Sequence, residues 1–286
     1  MKISELKKEA IAKLSGKWGK AAGIYLLVTL LSFGLTFIPS LSGDAIAVLI
    51  LNLLVSIISF AFSYGLLASM IKLSRTEKVD IMDFVTIGLK NIFKIIKIYL
   101  LMVLKLWLPI LLYLVGGFLT GVAAYIAGTG NPNGFIYLIG AFAFLFFACI
   151  YFIVRSLLYS LPFYLLYDNP NAKTNDLLNK SAEIMKGNRF KLVLTEFSFF
   201  GWALLIILVF ILSAPIAPAI SLILLLAGSI VLSPYVHFTM IRFYEHAAGI
   251  NDVKAEIITE TEVVETENVS KEEKLEEASV EEKTEE

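Results

Sequence analysis

Few side chains in this sequence are spaced for chemistry, and most of those lie at the ends of long apolar runs. His237 and His246 are the two histidines; nine residues apart on one helix, they do not share a face. Glu245-His246 resembles a metal pair, but its place at the end of the last apolar run reads as a surface-facing helix terminus. Asp80, Asp83, Asp168 and Asp176 are the acids open to a site outside the apolar runs, and Asp80 and Asp176 read as helix-start residues. There is no Gly-rich phosphate loop before Lys-Ser/Thr, no G-x-S-x-G and no H-E-x-x-H. Cys149 is the single cysteine, which excludes a disulfide framework within one chain; inside an apolar run it reads as a small buried residue. The sequence therefore assigns no catalytic residue, metal ligand or cofactor, and nothing in it points to nucleic acid.

Three charges stand out because of their surroundings. Lys105, Arg155 and Glu196 sit within or at the edge of apolar segments. An unpaired charge at mid-bilayer costs about 2.5–3.5 kcal/mol on insertion scales, and a bidentate Arg–carboxylate contact removes the problem for both partners. The matching depths of Arg155 and Glu196 predict an intramembrane polar cluster, with Lys105 as competing partner and snorkelling of Arg155 as the alternative.

The elements that must position these residues are apolar helices. Of 286 residues, 58% are hydrophobic, against roughly 45–50% in soluble domains. The excess falls in blocks long enough to cross a bilayer. The spans are predicted at about 21–38, 45–73, 107–126, 135–154, 192–212 and 219–243. The apolar segments Ile95–Ala127 and Gly134–Tyr167 are too long for single crossings. They are expected to divide near Lys105 and near Arg155, with Pro162 allowing a bend after the fourth span. Residues 1–20 carry six lysines and two glutamates, unlike a signal-peptide n-region, so the first apolar run reads as a retained span.

Charge sets the expected sidedness. Residues 1–20 hold six Lys, 72–97 hold six Lys/Arg and 173–191 hold five, whereas the turns at 39–44, 127–134 and 213–218 hold none. The positive-inside rule then puts both termini and both long loops in the cytoplasm. Residues 1–250 carry 20 Lys/Arg against 11 Asp/Glu, and 251–286 carry 4 against 14. The chain thus divides into a six-helix membrane domain, 1–250, and an acidic cytoplasmic tail, 251–286, predicted to be disordered.

A basic amphipathic helix is expected before each pair of spans, lying at the membrane surface. Its elbows carry Lys17 and Lys20, Lys94 and Lys97, and Lys186, Arg189 and Lys191. At an offset of 171, Leu6, Leu14, Gly16 and Lys20 align with Leu177, Met185, Gly187 and Lys191. At an offset of 97, Asn91, Phe93 and Lys94 align with Asn188, Phe190 and Lys191. The expected fold is all-α: a polytopic membrane protein of six transmembrane helices in three hairpins, each preceded by such a helix. On the third of these helices, Leu177, Ile184 and Met185 are predicted to face acyl chains or the bundle, with Lys180 and Lys186 toward headgroups.

Several short motifs add a resemblance. Met185-Lys186-Gly187-Asn188, Ser198-Phe199-Phe200-Gly201-Trp202, Ser233-Pro234-Tyr235 and Phe243-Tyr244-Glu245, with K-x-x-A-x-x-x-L-x-G-x-W over Lys7–Trp18, resemble the domain of unknown function 975 family of bacterial six-span membrane proteins. The resemblance covers about residues 1–248 and implies fold and a cell-membrane location, not a reaction. The residues favour a non-enzymatic scaffold, or a protein binding anionic inner-leaflet lipids or a protein partner; the acidic tail is a candidate docking segment for the latter. The alternative is a small-solute transporter or export component, and third comes a membrane-embedded enzyme. The sequence does not specify an oligomeric state.

Overall fold

The computed structural model describes residues 2–75 and 79–250, and every regular element among them is helical. The predicted disordered tail, 251–286, lies outside the described residues. Helices α1 (Ile3–Leu14), α2 (Trp18–Leu35) and α3 (Ala45–Arg75) form the first unit. The second contains α4 (Asp83–Lys90), α5 (Ile92–Lys105), α6 (Trp107–Gly128), α7 (Gly134–Ser156) and α8 (Pro162–Asp168). The third contains α9 (Thr174–Ile184), α10 (Arg189–Phe197), α11 (Phe200–Ser213) and α12 (Pro218–Ala247). Six stretches are long and apolar enough to cross a membrane, beginning at Trp18, Ala45, Trp107, Gly134, Arg189 and Pro218. The molecule is a multi-pass membrane protein.

Both overlong segments contain helix boundaries. α5 ends at Lys105 and α6 starts at Trp107. After α7 a single 3₁₀ turn, Leu157–Tyr159, leads to Pro162 at the start of α8, where its missing N–H costs nothing. The fifth span departs from expectation because it is not one helix. It breaks at Ser198 and Phe199, which leaves α11 with 14 residues, about 21 Å against a hydrocarbon core of about 30 Å. α10 must supply the rest of the crossing. The break exposes the Ser198 carbonyl, and the Lys7 ammonium donates to it at 2.9 Å.

The three elbows share one backbone geometry, which Leu106 before α6 (φ -102°, ψ 9°) also adopts. Lys17, Asn91 and Asn188 precede α2, α5 and α10 with φ of -115°, -102° and -103° and ψ of 0°, 8° and -6°. The carbonyl of each accepts from the amide four residues on, Ala21, Ile95 and Leu192, at 3.0 Å in all three cases. Asn91 and Asn188 also donate through Nδ2 to Ile87 and Ile184, four residues back, at 2.9 Å. Gly16 and Gly187 precede two of these elbows with φ of 73° and 85°, a region that favours glycine. The middle unit reaches Asn91 without such a residue. A Cβ at Gly187 would meet nothing within 4 Å, so only backbone strain opposes a side chain there. Gly187→Ala is expected to cost about 1 kcal/mol and Gly187→Asn less, read as a lowered unfolding temperature in detergent.

Burial is concentrated at the end of the spans where the elbows lie. Fully covered side chains include Leu6, Leu14, Met70, Phe84, Ile98, Leu178, Met185, Leu192, Phe238 and Tyr244. In the most apolar part of each span, by contrast, only 11–17% of residues are buried, and α11 buries none. A surface so apolar is stable only against hydrocarbon or other apolar chains. The short helices and the span ends therefore form the core, and the outer parts of the spans project from it.

Two crossings depend on glycine. A Cβ at Gly65 on α3 would overlap the carbonyl of Phe84, and one at Gly88 on α4 would overlap the carbonyl of Ala61. Ala61-x₃-Gly65 thus lies against Phe84-x₃-Gly88, and the two backbones touch, as small residues permit. In the second hairpin, a Cβ at Gly116 would sit 3.1 Å from Leu145 Cα, and one at Gly134 would sit 2.5 Å from Ala127 Cα.

Candidate functional site

The ends of the second span of each unit meet around one carboxylate. Asp168 closes α8, Arg75 closes α3, and Tyr244 lies near the end of α12. Arg75 Nη1 donates to Asp168 Oδ1 at 2.5 Å, and Nη2 to Oδ2 at 3.3 Å. The Tyr244 hydroxyl donates to Asp168 Oδ2 at 2.6 Å. The Arg75 and Asp168 side chains keep 23% and 18% of their exposure, so their charges are partly desolvated and their contact is stronger than at an open surface. Tyr167 lies below the guanidinium at 5.7 Å, and the Tyr164 and Tyr244 rings pack at 5.1 Å.

Further polar ties surround this hub. Lys72 pairs with Asp83 at 2.7 Å, joining α3 to α4. Arg242 pairs with Glu9 at 2.6 Å, joining α12 to α1. Ser181 donates to the Leu158 carbonyl at 2.9 Å and accepts the Leu161 amide at 3.1 Å, which satisfies the break between α7 and α8. Lys7 lies 4.2 Å above the Phe199 ring centroid, and burial holds its ammonium below the ordinary lysine range.

The basic elbow residues divide into two groups. Lys17 donates to the Leu73 carbonyl at 3.0 Å, and Lys94 donates to that of Pro170. Lys17 thus fastens its elbow to the end of α3, and Lys94 fastens its own to the chain just past α8. Lys191 reaches Asn188 Oδ1 at 3.4 Å, and Lys20 is exposed at the α2 entry. Lys97 and Lys186 are exposed on the surface, and Arg189 Nε is buried without a hydrogen-bond partner. An aromatic ring follows each elbow and faces outward: Trp18 is 37%, Phe93 85% and Phe190 72% exposed.

The expected cluster of Lys105, Arg155 and Glu196 does not assemble. Among the described residues no ion pair joins Arg155 to Glu196, and Arg155 Nε is buried without a partner. Lys105 donates instead to Asn179 Oδ1 at 2.9 Å, where α5 meets α9. Glu196 is exposed on α10. Equal depth does not fix the direction in which each helix presents its charge. Leu177 and Met185 are buried in the bundle, Ile184 is half-buried, and Lys180 and Lys186 face outward.

The motif residues mostly serve packing. Met185 and Tyr244 are fully buried and Pro234 is buried inside α12, while Tyr235 packs edge-on against Phe199 at 5.0 Å. Gly201 and Trp202 are exposed on α11. Arg75 is the hub residue that sequence reasoning missed. It is 93 residues from Asp168, and no local pattern marks it apart from the other basic residues. Among the described residues, no group of three or more His, Cys, Asp or Glu is placed to hold a metal ion.

No curated protein and no solved structure matches the chain. One family model, described as protein of unknown function (DUF975), matches residues 1–251, which is the helical body carrying the elbows and the hub. The chain belongs to that family, the domain of unknown function 975 family.

Proposed function

We propose that this protein is a non-enzymatic component of the cell membrane that binds anionic inner-leaflet lipid through its elbow end, with both termini in the cytoplasm, and so organises lipid or partner proteins there. The carrying observation is the recurrence at three elbows of an outward-facing aromatic ring beside lysines. Trp18 lies two residues before Lys20, Phe93 one turn before Lys97, and Phe190 directly before Lys191. Aromatic rings prefer the headgroup level of a bilayer, and each nearby lysine adds about 1 kcal/mol of attraction to an anionic leaflet. The basic bias of the same loops supports the cytoplasmic orientation.

A second reading, small-solute transport, has one observation in its favour. A cavity of about 350 Å³ opens between α2, α11 and α12, lined by Tyr25, Ser229, Ser233 and His237 among apolar residues. Its surface is almost wholly apolar, however, whereas a solute path requires polar groups at depth. Reconstitution separates the two. The lipid-binding reading expects spin-labelled phosphatidylglycerol to be immobilised on the protein in preference to phosphatidylcholine, with no solute flux above empty vesicles. Equal immobilisation of the two lipids, or saturable flux of one solute from a panel, contradicts it.

A further inference from the structure

The second elbow has a pocket of about 580 Å³ beside it, larger than the one of about 150 Å³ lined by Gly16, Lys17 and Lys20 at the first elbow. The pocket lies between the first half of α5 and the segment leading into α9, and its lining includes Phe93, Lys94, Lys97, Leu101 and Lys173. We propose that this pocket binds the phosphate of an anionic phospholipid headgroup, with an acyl chain laid along α5 toward α6. This deepens, and rests on, the reading of the elbow end as the face that meets anionic lipid.

Charge is the first support. Three ammonium groups line the pocket, and no carboxylate does. Asp176, the nearest acid along the chain, is not part of the lining. Lys94 is fixed at the rim by the Pro170 carbonyl, whereas the Lys97 and Lys173 side chains are exposed and make no hydrogen bond or ion pair among the described residues. Two lysines are therefore available to a phosphate and a third is already held in place. The opening of α9 adds donors. Its cap residue, Lys173, makes no side-chain cap bond, and its carbonyl takes the Asp176 and Leu177 amides, which leaves those of Thr174 and Asn175 to an outside acceptor.

The apolar surface then selects a lipid over a free anion. Phe93, Lys97 and Leu101 recur every four residues on one stripe of α5. Beyond them Leu100, Leu104 and Trp107 are exposed, and Trp107 begins the third span. A phosphate on Lys97 and Lys173 would leave its acyl chain over leucines that run into the membrane. A soluble phosphate would leave that surface uncovered.

The test uses the full-length protein in micelles with added phosphatidylglycerol or phosphatidylcholine, with bound lipid counted by native mass spectrometry. Lys97→Gln with Lys173→Gln should weaken phosphatidylglycerol retention about thirtyfold. Lys8→Gln with Lys13→Gln removes the same charge from other exposed positions and should change it less than twofold. Inorganic phosphate at millimolar concentration should not displace the lipid. Equal loss in the two double variants, or no loss in either, overturns the pocket while leaving lipid binding by the elbow end in place. Displacement by inorganic phosphate overturns the lipid assignment in favour of a soluble anion. A wild-type protein that retains both lipids equally overturns the pocket and the functional reading together.

Discussion

Asp168→Ala is expected to lower the unfolding free energy of the solubilised protein by about 3 kcal/mol, the low end of what breaking a buried ion pair costs. The change removes the acceptor of two Arg75 bonds, at 2.5 and 3.3 Å, and of the Tyr244 hydroxyl bond at 2.6 Å. It leaves the Arg75 charge in a site where it keeps 23% of its exposure. Tyr244→Phe, which deletes one bond to a charged acceptor, should cost about 1.5 kcal/mol. Arg75→Met combined with Asp168→Leu should be milder than either single change, because both charges leave together. Urea unfolding followed by tryptophan fluorescence reads these variants and the two single changes of the cycle. Additive effects in the cycle would mean that Arg75 and Asp168 stabilise the protein independently.

Gly65→Ala should do comparable damage with one methyl group. A Cβ there overlaps the Phe84 carbonyl, and the neighbour is backbone rather than a side chain that can rotate away. Relief requires α3 and α4 to separate, which also opens the Phe62–Phe84 contact at 5.5 Å. The expected cost is about 3 kcal/mol, at the upper end for overpacking. Gly88→Ala, at the other side of the same crossing, should behave alike. The two together should cost less than their sum, since one separation relieves both clashes. Gly117→Ala is the control, because a Cβ there meets nothing within 4 Å. Thermal unfolding within 1 °C of wild type for Gly65→Ala would show that the crossing is looser than its glycines imply.

What can be read from the sequence follows physical rules that act locally. Length alone divides the third and fourth apolar segments, because neither fits a bilayer, and the charges at Lys105 and Arg155 and the ring of Pro162 mark the places. The break at Ser198 and Phe199 carries no Gly or Pro and sits inside an apolar run; it is recognised only once Lys7, 191 residues away, is seen on the freed carbonyl. The hub is hidden for the same reason. Arg75, Asp168 and Tyr244 come from three different units, and their meeting depends on how the units pack. The elbows are legible as a pattern, since Gly16 and Gly187 align with neighbouring apolar positions. Their lysines are not legible one by one: Lys17 and Lys94 look like headgroup contacts yet fasten the elbows to backbone carbonyls. Arg155 and Glu196 show the opposite limit. Their depth is fixed by the chain, but the rotation of their helices is not.

Sidedness is the condition on which the lipid reading rests, and impermeant maleimide labelling in whole cells tests it most directly. In a Cys149→Ala background, Asn131→Cys lies in the turn between α6 and α7, and Lys180→Cys is exposed on α9 at the elbow end. Asn131→Cys should label in intact cells, and Lys180→Cys only after the membrane is permeabilised. Labelling of Lys180→Cys in intact cells with Asn131→Cys protected would turn the elbow end away from the cytoplasm and contradict anionic inner-leaflet binding.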